Sequence, residues 1–574
     1  MSKLIYRFGG RASEGGADDV DLLGGKGAHL AEMARLGLPV PPGLTISTTA
    51  FSRFASSDGR MDDDLSTDLA ASLGDLSREL GRRLGDAERP LVLAVRSGAR
   101  VSMPGMMDTI LNIGLTDLTV EALGRSTGDM RFAWDSYRRL IQMYGDVVMG
   151  VEIETFEDLL EEKKSGLGVR EDADLTADDW RSVVEAYKEL VLAEAGRPFP
   201  QDAAEQLREA VAAVYASWTN PRAVAYRRIH GISESWGTAV NIQTMVFGNR
   251  DDLSATGVVF TRNPSTGDRE LFGEFLINAQ GEDVVAGIRT PMPLTERALA
   301  RGRSSGTSLE AAMPEVFEEL RDACVLLETH YRDMQDVEFT VEQGRLWILQ
   351  ARKAKRTDKA SVKIAVDMAR EGLISREEAV ARVDPEVLAR TPHPMVDPDA
   401  RIPSVGAGLP ASPGAASGQI VFHPGEAVEA AENGRRVILV RIETSPEDIE
   451  GMHVAAGVLT TRGGMTSHAA VVARGIGKPC VVGAASMQID LRNGRLIADG
   501  ATFYEGDVIT IDGSTGRIFA GEAPTIRPII AQDFSTLRSW AAGVETHDDI
   551  HVENGQIEDR DEEPEDDASS SWKP

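Results

Sequence analysis

Gly463-Gly464-Met465-Thr466-Ser467-His468-Ala469-Ala470-Val471-Val472-Ala473-Arg474-Gly475 is the stretch that decides how this chain is read. Before it, the apolar run Gly457-Val458-Leu459-Thr460-Thr461 predicts a strand that stops at Arg462-Gly463-Gly464, and the alanine-rich pattern after it predicts a helix opening just past the histidine. Strand, tight turn and helix in that order make an α/β unit. Glycines let backbone approach a ligand closely, Thr466 or Ser467 is placed to cap the helix, and free N–H groups at a helix start favour a phosphate. Neutral imidazole is available near physiological pH, and a phosphorus–nitrogen bond divides one hard transfer into two easier ones. His468 is therefore read as a nucleophile that carries a phosphoryl group. A lone histidine at a helix start ordinarily caps or packs, so the reading depends on its surroundings.

Length and charge set the frame. At about 150 residues per domain, 574 residues imply three or four domains, and no apolar stretch approaches the ~20 residues of a membrane span. Met1 to Gly10 lacks the apolar core of a signal peptide, so a soluble, cytoplasmic protein is expected. A net charge of -30 argues against nucleic-acid binding, which needs clustered cations. Roughly a third of that charge falls after Glu545, in a run with too little apolar surface to fold alone. Cys324 and Cys480, the two cysteines, make neither a disulfide framework nor a metal motif.

Working toward the N-terminus, Asp21-Leu22-Leu23-Gly24-Gly25-Lys26-Gly27-Ala28-His29-Leu30 joins a turn to a helix ending near Gly37. Lys26 suits phosphate contact or is a plain exposed turn residue; the spacing is not that of a P-loop. Leu91 to Ala99 predicts a strand delivering Arg96, whose guanidinium fork fits polyphosphate oxygens or a carboxylate, followed by the loop Gly105-Met106-Met107-Asp108-Thr109. In Met334 to Val341, period-two alternation puts Asp336 and Glu338 on one strand face. After Gln343-Gly344 a hairpin return puts Gln350 and Arg352 on a common face as well, so two strands present oxygens and a cation together. Hard oxygen donors beside a polyphosphate are what Mg²⁺ prefers.

Two resemblances cover nearly all of the chain. The segment from Leu409 through the histidine string to about Gly513 resembles the phosphohistidine swivelling domain of pyruvate phosphate dikinase and its relatives, and Leu22 through Arg352 resembles the ATP-grasp nucleotide-binding domain of the same family. The family likeness implies an α/β multidomain chain: a nucleotide-binding domain over 1–353 with a helical insertion at about 116–225, a helical linker and hinge over 354–405 with Pro392, Pro394 and Pro398, the swivelling domain over 406–520, and a largely disordered acidic tail over 521–574. It further implies that Lys26 and Arg96 hold ATP phosphates, that Gly105 to Thr109 close over them, and that Glu338 and Gln350 bind Mg²⁺ while Arg352 assists transfer. By the same likeness Gln243 and Met245 line the adenine pocket, Glu282 and Asp336 add polar contacts, and Thr466 is either a regulatory phosphorylation site or a helix cap.

The implied chemistry is attack of His468 on the β-phosphorus of ATP with release of AMP, then transfer of the terminal phosphoryl group to inorganic phosphate, and a homodimer is allowed. The family's pyruvate- and phosphoenolpyruvate-binding barrel is expected after Phe519, where only about fifty residues remain against the roughly 250 a (β/α)₈ barrel needs. The expectation is therefore an ATP half-reaction, with a separate barrel protein or another acceptor receiving the phosphoryl group. The alternative reading is a regulatory ATP sensor or phosphocarrier read by a partner.

Overall fold

The computed structural model describes residues 3–543 apart from 11–12, 58–60, 104, 170–171, 286–290, 302–305, 390–393, 398–399, 401, 499 and 527–531. The acidic run after Glu545 and the hinge residues Pro392 and Pro398 lie outside the described residues.

Two five-stranded sheets build the N-terminal half. One has the order Ile5–Phe8, Gly43–Ile46, Thr238–Thr244, Leu93–Ala99, Thr109–Ile113; the other runs Arg345–Lys353, Gln335–Glu342, Ala255–Phe260, Phe272–Ile277, Met292–Pro293, with every paired neighbour antiparallel. The helix Val20–Arg35 packs against strands of both sheets, which explains its apolar face of Leu23, Leu30 and Met33. This helix starts earlier than the sequence pattern predicts and breaks at Gly24 (φ 67°), where a side chain would lie 1.7 Å from the Gly98 carbonyl oxygen. Only glycine lets the Lys26 turn approach the Arg96 strand this closely.

Helices from Asp117–Thr127 through Pro221–Ile229 are inserted between two strands of the first sheet, Thr109–Ile113 and Thr238–Thr244. Their buried rings, Tyr137, Tyr144, Phe156, Trp180 and Tyr187, share one hydrophobic core with Leu93, Val95, Val240 and Ile242 of that sheet. The helical layer is thus the cover of the sheet's second face.

The linker helices Asp358–Arg370, Arg376–Ala381 and Pro385–Ala389 pack on the second sheet through Val258, Phe260 and Met334. Arg262, fully buried, ties them down: it donates to Glu328 at 2.8 Å and to Glu371 at 2.6 Å. The 521–574 segment is not wholly the disordered tail the sequence predicts. Gln532–Ala541 is a helix that returns to the linker helices, burying Leu537 completely, because Phe534, Leu537 and Trp540 recur at helical spacing on its inner face.

Between linker and returning helix stands the histidine-bearing unit, an eight-stranded sheet. At its centre Ala415–Val421, Val437–Arg441, Gly457–Thr460 and Cys480–Val482 run parallel. The helix His468–Ile476 is the crossover between the last two. A short antiparallel strap, Met395–Val396 on Thr525–Ile526, joins the two polypeptide connections to this unit. Both cysteines are free and buried. Among the described residues no helix is long and apolar enough to cross a membrane.

Candidate phosphotransfer site

The hairpin around Gln343 and Gly344, both left-handed (φ 51° and 76°), is the tight turn that suits the twist of its strands. A β-bulge at Leu349 then decides the site: past it Gln350 stands opposite Glu338 and Arg352 opposite Asp336. Continued without the bulge, the register would have set Leu349 and Ala351 against the two acids. Arg352 Nε donates to Asp336 Oδ2 at 2.8 Å, and Arg96 Nη2, from the facing sheet, donates to Glu338 Oε2 at 3.1 Å.

Glu338, Gln350, Arg352 and Arg96 line a cleft of about 1040 Å³ between the two sheets, together with Lys26, Glu282, Gly105, Met107, Thr109 and His468; Asp336, expected to add a polar contact there, is buried, paired with Arg352, and does not line it. Burial pushes Lys26 down to about 7, with the Arg96 guanidinium adding to the effect and Glu338 opposing it. Glu338, despite burial, is held below the ordinary carboxylate range by Arg96, Arg352 and Lys26. Burial raises Glu282 to about 7 against the pull of Arg139. Asp336 is raised by burial, and Arg352 opposes the shift.

Other predicted site residues lie elsewhere. Gln243 is buried within the first sheet, its Nε2 donating to the Pro41 carbonyl at 3.2 Å, and the Met245 backbone N–H binds Val92; neither lines the cleft. Met106 is fully buried. Asp108 turns away to accept from Arg222 and from Asn220 Nδ2 at 3.1 Å. Of the loop Gly105 to Thr109, only Gly105, Met107 and Thr109 face the cleft.

His468 begins its helix at the carboxyl end of the parallel strands, the usual place for ligands in such sheets. Its Nδ1 lies 3.0 Å from Thr444 Oγ1, while the buried Nε2 has no partner among the described residues. Burial depresses the imidazole to about 4, with Glu447 pulling weakly the other way. A side chain at Gly105 would stand 3.4 Å from His468 Cδ2, so the loop of the N-terminal half packs directly on the ring.

Two sequence expectations change here. Ser467 occupies the helix cap position, yet its hydroxyl makes no capping bond. The turn's N–H groups are taken by a protein carboxylate: Glu274 accepts from Met465 N at 3.0 Å, Thr466 N at 3.3 Å and Thr466 Oγ1 at 3.0 Å. Thr466 is buried against that acid, outside the cleft. Sequence reasoning also missed Thr444, and it missed Arg222, which donates to Glu447 at 2.7 Å and to the Met106 carbonyl at 3.3 Å. All of these act across a contact between distant segments, for which no local pattern exists.

Residues 20–71, 60–298 and 294–373 match the pyruvate phosphate dikinase AMP/ATP-binding domain, and 434–516 match the mobile domain of PEP-utilising enzymes. The chain belongs to the pyruvate phosphate dikinase family. It is 59% identical over 541 residues to a pyruvate, phosphate dikinase of Rhizobium meliloti, covering 94% of this chain and 60% of that protein. The Clostridium symbiosum relative of the same name is 50% identical over 545 residues, with 94% and 60% covered. A chloroplastic relative of Arabidopsis thaliana is 49% identical over 544 residues, with 94% and 55% covered. The chain therefore spans about 60% of the length of these curated relatives. Each relative carries the dikinase name on a single longer polypeptide, so these matches lend no support to a separate barrel protein as phosphoryl acceptor.

Proposed function

We propose that this chain is an ATP-dependent phosphotransferase of the dikinase type, in which His468 takes a phosphoryl group from ATP. The observation that carries the reading is that His468, whose buried Nε2 has no partner among the described residues, lines the same cleft as Lys26, Arg96, Glu338, Gln350 and Arg352. Nucleotide binding falls to an ATP-grasp unit over 1–353 with its helical insertion at about 116–225, the linker over 354–405 connects it, and the unit over 406–520 swivels.

A buried imidazole depressed to about 4 is neutral at any physiological pH, so its lone pair is ready without a general base. Neutral His468 carries one proton; placed on Nδ1 and donated to Thr444 Oγ1, it leaves Nε2 free to attack the β-phosphorus. AMP departs. Arg96 and Arg352 supply fixed positive charge where phosphoryl oxygens gather, and Lys26 adds its own on taking up a proton as the polyphosphate arrives, together the main protein contribution to such transfers. Inorganic phosphate then takes the terminal phosphoryl group as pyrophosphate, and pyruvate is the eventual acceptor, following the relatives' printed name.

Glu338 and Gln350, paired across the bulged hairpin, fit a Mg²⁺ ion: one carboxylate kept ionised and one amide oxygen, with nucleotide oxygens completing the shell. Bound there, the ion would neutralise charge building up on the phosphates. Thr466 is assigned as a modification site whose hydroxyl is open only when Glu274 lets go. The test is incubation of the full chain with Mg²⁺ and β-labelled ATP. Acid-labile label and AMP in wild type, absent in His468→Ala, is the expected result; ATP bound without label or AMP would sink the reading.

A further inference from the structure

The cations around the cleft are not equivalent. Arg96, Arg352, Lys353, Arg100 and Arg441 each hold a carboxylate, at 3.1, 2.8, 3.1, 3.3 and 3.4 Å, and Arg356 beside them holds Asp333 at 2.6 Å. Lys26 and Lys355 alone among the cleft's described cations have no ion pair, and Lys26 is already placed on the nucleotide. Lys355, flanked by paired neighbours, keeps part of its side chain in solvent, and burial of the rest together with Arg352 and Lys353 lowers its proton affinity, with no acid opposing them. It lines the large cleft and also a smaller cavity of about 240 Å³ that opens behind it between Lys355–Asp358 and Ser412–Pro413, with Arg474 in its wall. That second cavity is formed by both halves of the protein, so Lys355 lies where the histidine unit meets the large cleft. A cation crowded by other cations and left without an acid is stabilised by an incoming anion.

We propose that Lys355 binds the phosphoryl-accepting inorganic phosphate, separately from the nucleotide cations. This rests on the phosphotransferase reading. In the step served, an unprotonated oxygen of hydrogenphosphate attacks the terminal phosphorus of the diphosphoryl group on His468. The bridging P–O bond breaks, its electron pair stays with the phosphoryl group left on the ring, and the proton leaves on the pyrophosphate.

The test measures pyrophosphate release at varied phosphate and varied ATP for wild type, Lys355→Met and Lys355→Arg, each folded as judged by its thermal midpoint. One lost charged contact raises the phosphate KM of Lys355→Met by about tenfold or more while the ATP KM stays within about twofold, and Arg recovers part of the loss. An unchanged phosphate KM, or a rise confined to the ATP KM, overturns the assignment. Wild type forming no labelled histidine overturns the phosphotransferase reading instead. In that case binding of inorganic phosphate to the resting chain, followed by ³¹P line width, decides for Lys355: broadening lost in Lys355→Met supports it, and equal broadening overturns it.

Discussion

His468 is defined by what each ring nitrogen touches. Thr444 holds Nδ1, and only a hydroxyl that accepts there leaves the other nitrogen nucleophilic. Thr444→Val frees the tautomer and the ring tilt, and label on His468 is expected to form on the order of 10²-fold more slowly, while Thr444→Ser stays near wild type. Quench-flow with acid-labile counting checks this. Because the folded imidazole titrates near 4 and the unfolded one near 6.5, the unfolded chain binds the extra proton between those values, so this group's contribution to stability is lost as pH falls through that window. Lys26 behaves in the opposite sense toward ligand. With a resting value of about 7, it is largely neutral at pH 8 and must take up a proton when polyphosphate arrives. Calorimetry at pH 8 in buffers of different ionisation enthalpy should show proton uptake on ATP binding and weaker affinity as pH rises, with Lys26→Met abolishing the uptake. The identities of Lys26, Arg96, Glu338, Gln350 and His468 were legible as residue types beside glycines or at strand spacing. Thr444 was not, since threonines after strands are common and nothing local tells one from another.

Among the elements, the hairpin Gln335–Lys353 shows what alternation can and cannot tell. Period two located both strands and paired Asp336 with Glu338 and Gln350 with Arg352 along each strand. The bulge that sets one pair opposite the other is a one-residue slip that an apolar run such as Leu346 to Leu349 conceals. The helix Gln532–Ala541 was overlooked because the acidic sequence beyond it dominates the local composition, although its three apolar residues suffice to dock it. The linker helices owe their anchorage to Arg262, which answers two carboxylates at once. Arg262→Ala strands Glu328 and Glu371 beside each other in partly or fully buried positions, a loss of about 3–5 kcal/mol seen as a lowered denaturation midpoint. Arg262→Lys should recover little, since one ammonium cannot replace two forks.

Over the whole molecule, the order of the units followed from sequence, but the contact between them did not, because a docked pose is built from segments hundreds of residues apart. Glu274 reaches into the turn before His468, and Arg222 bridges the nucleotide loop to Glu447. Glu274→Arg replaces three accepted bonds with a cation aimed at N–H donors. Label transfer to His468 is expected to drop by about 10² or more while ATP affinity of the nucleotide-binding half stays within about twofold, as measured by nucleotide titration alongside phosphohistidine assay.

The strap of Met395–Val396 against Thr525–Ile526 carries a mechanical meaning. A domain hung from one strand is a pendulum free to twist in any direction. In the proposed swivel, one held by two strands that are bonded side by side, with a helix anchored on the linker at the far end, would behave as a door, with one axis and a fixed arc. Its histidine would travel along a track and meet the cleft in the same orientation on every return.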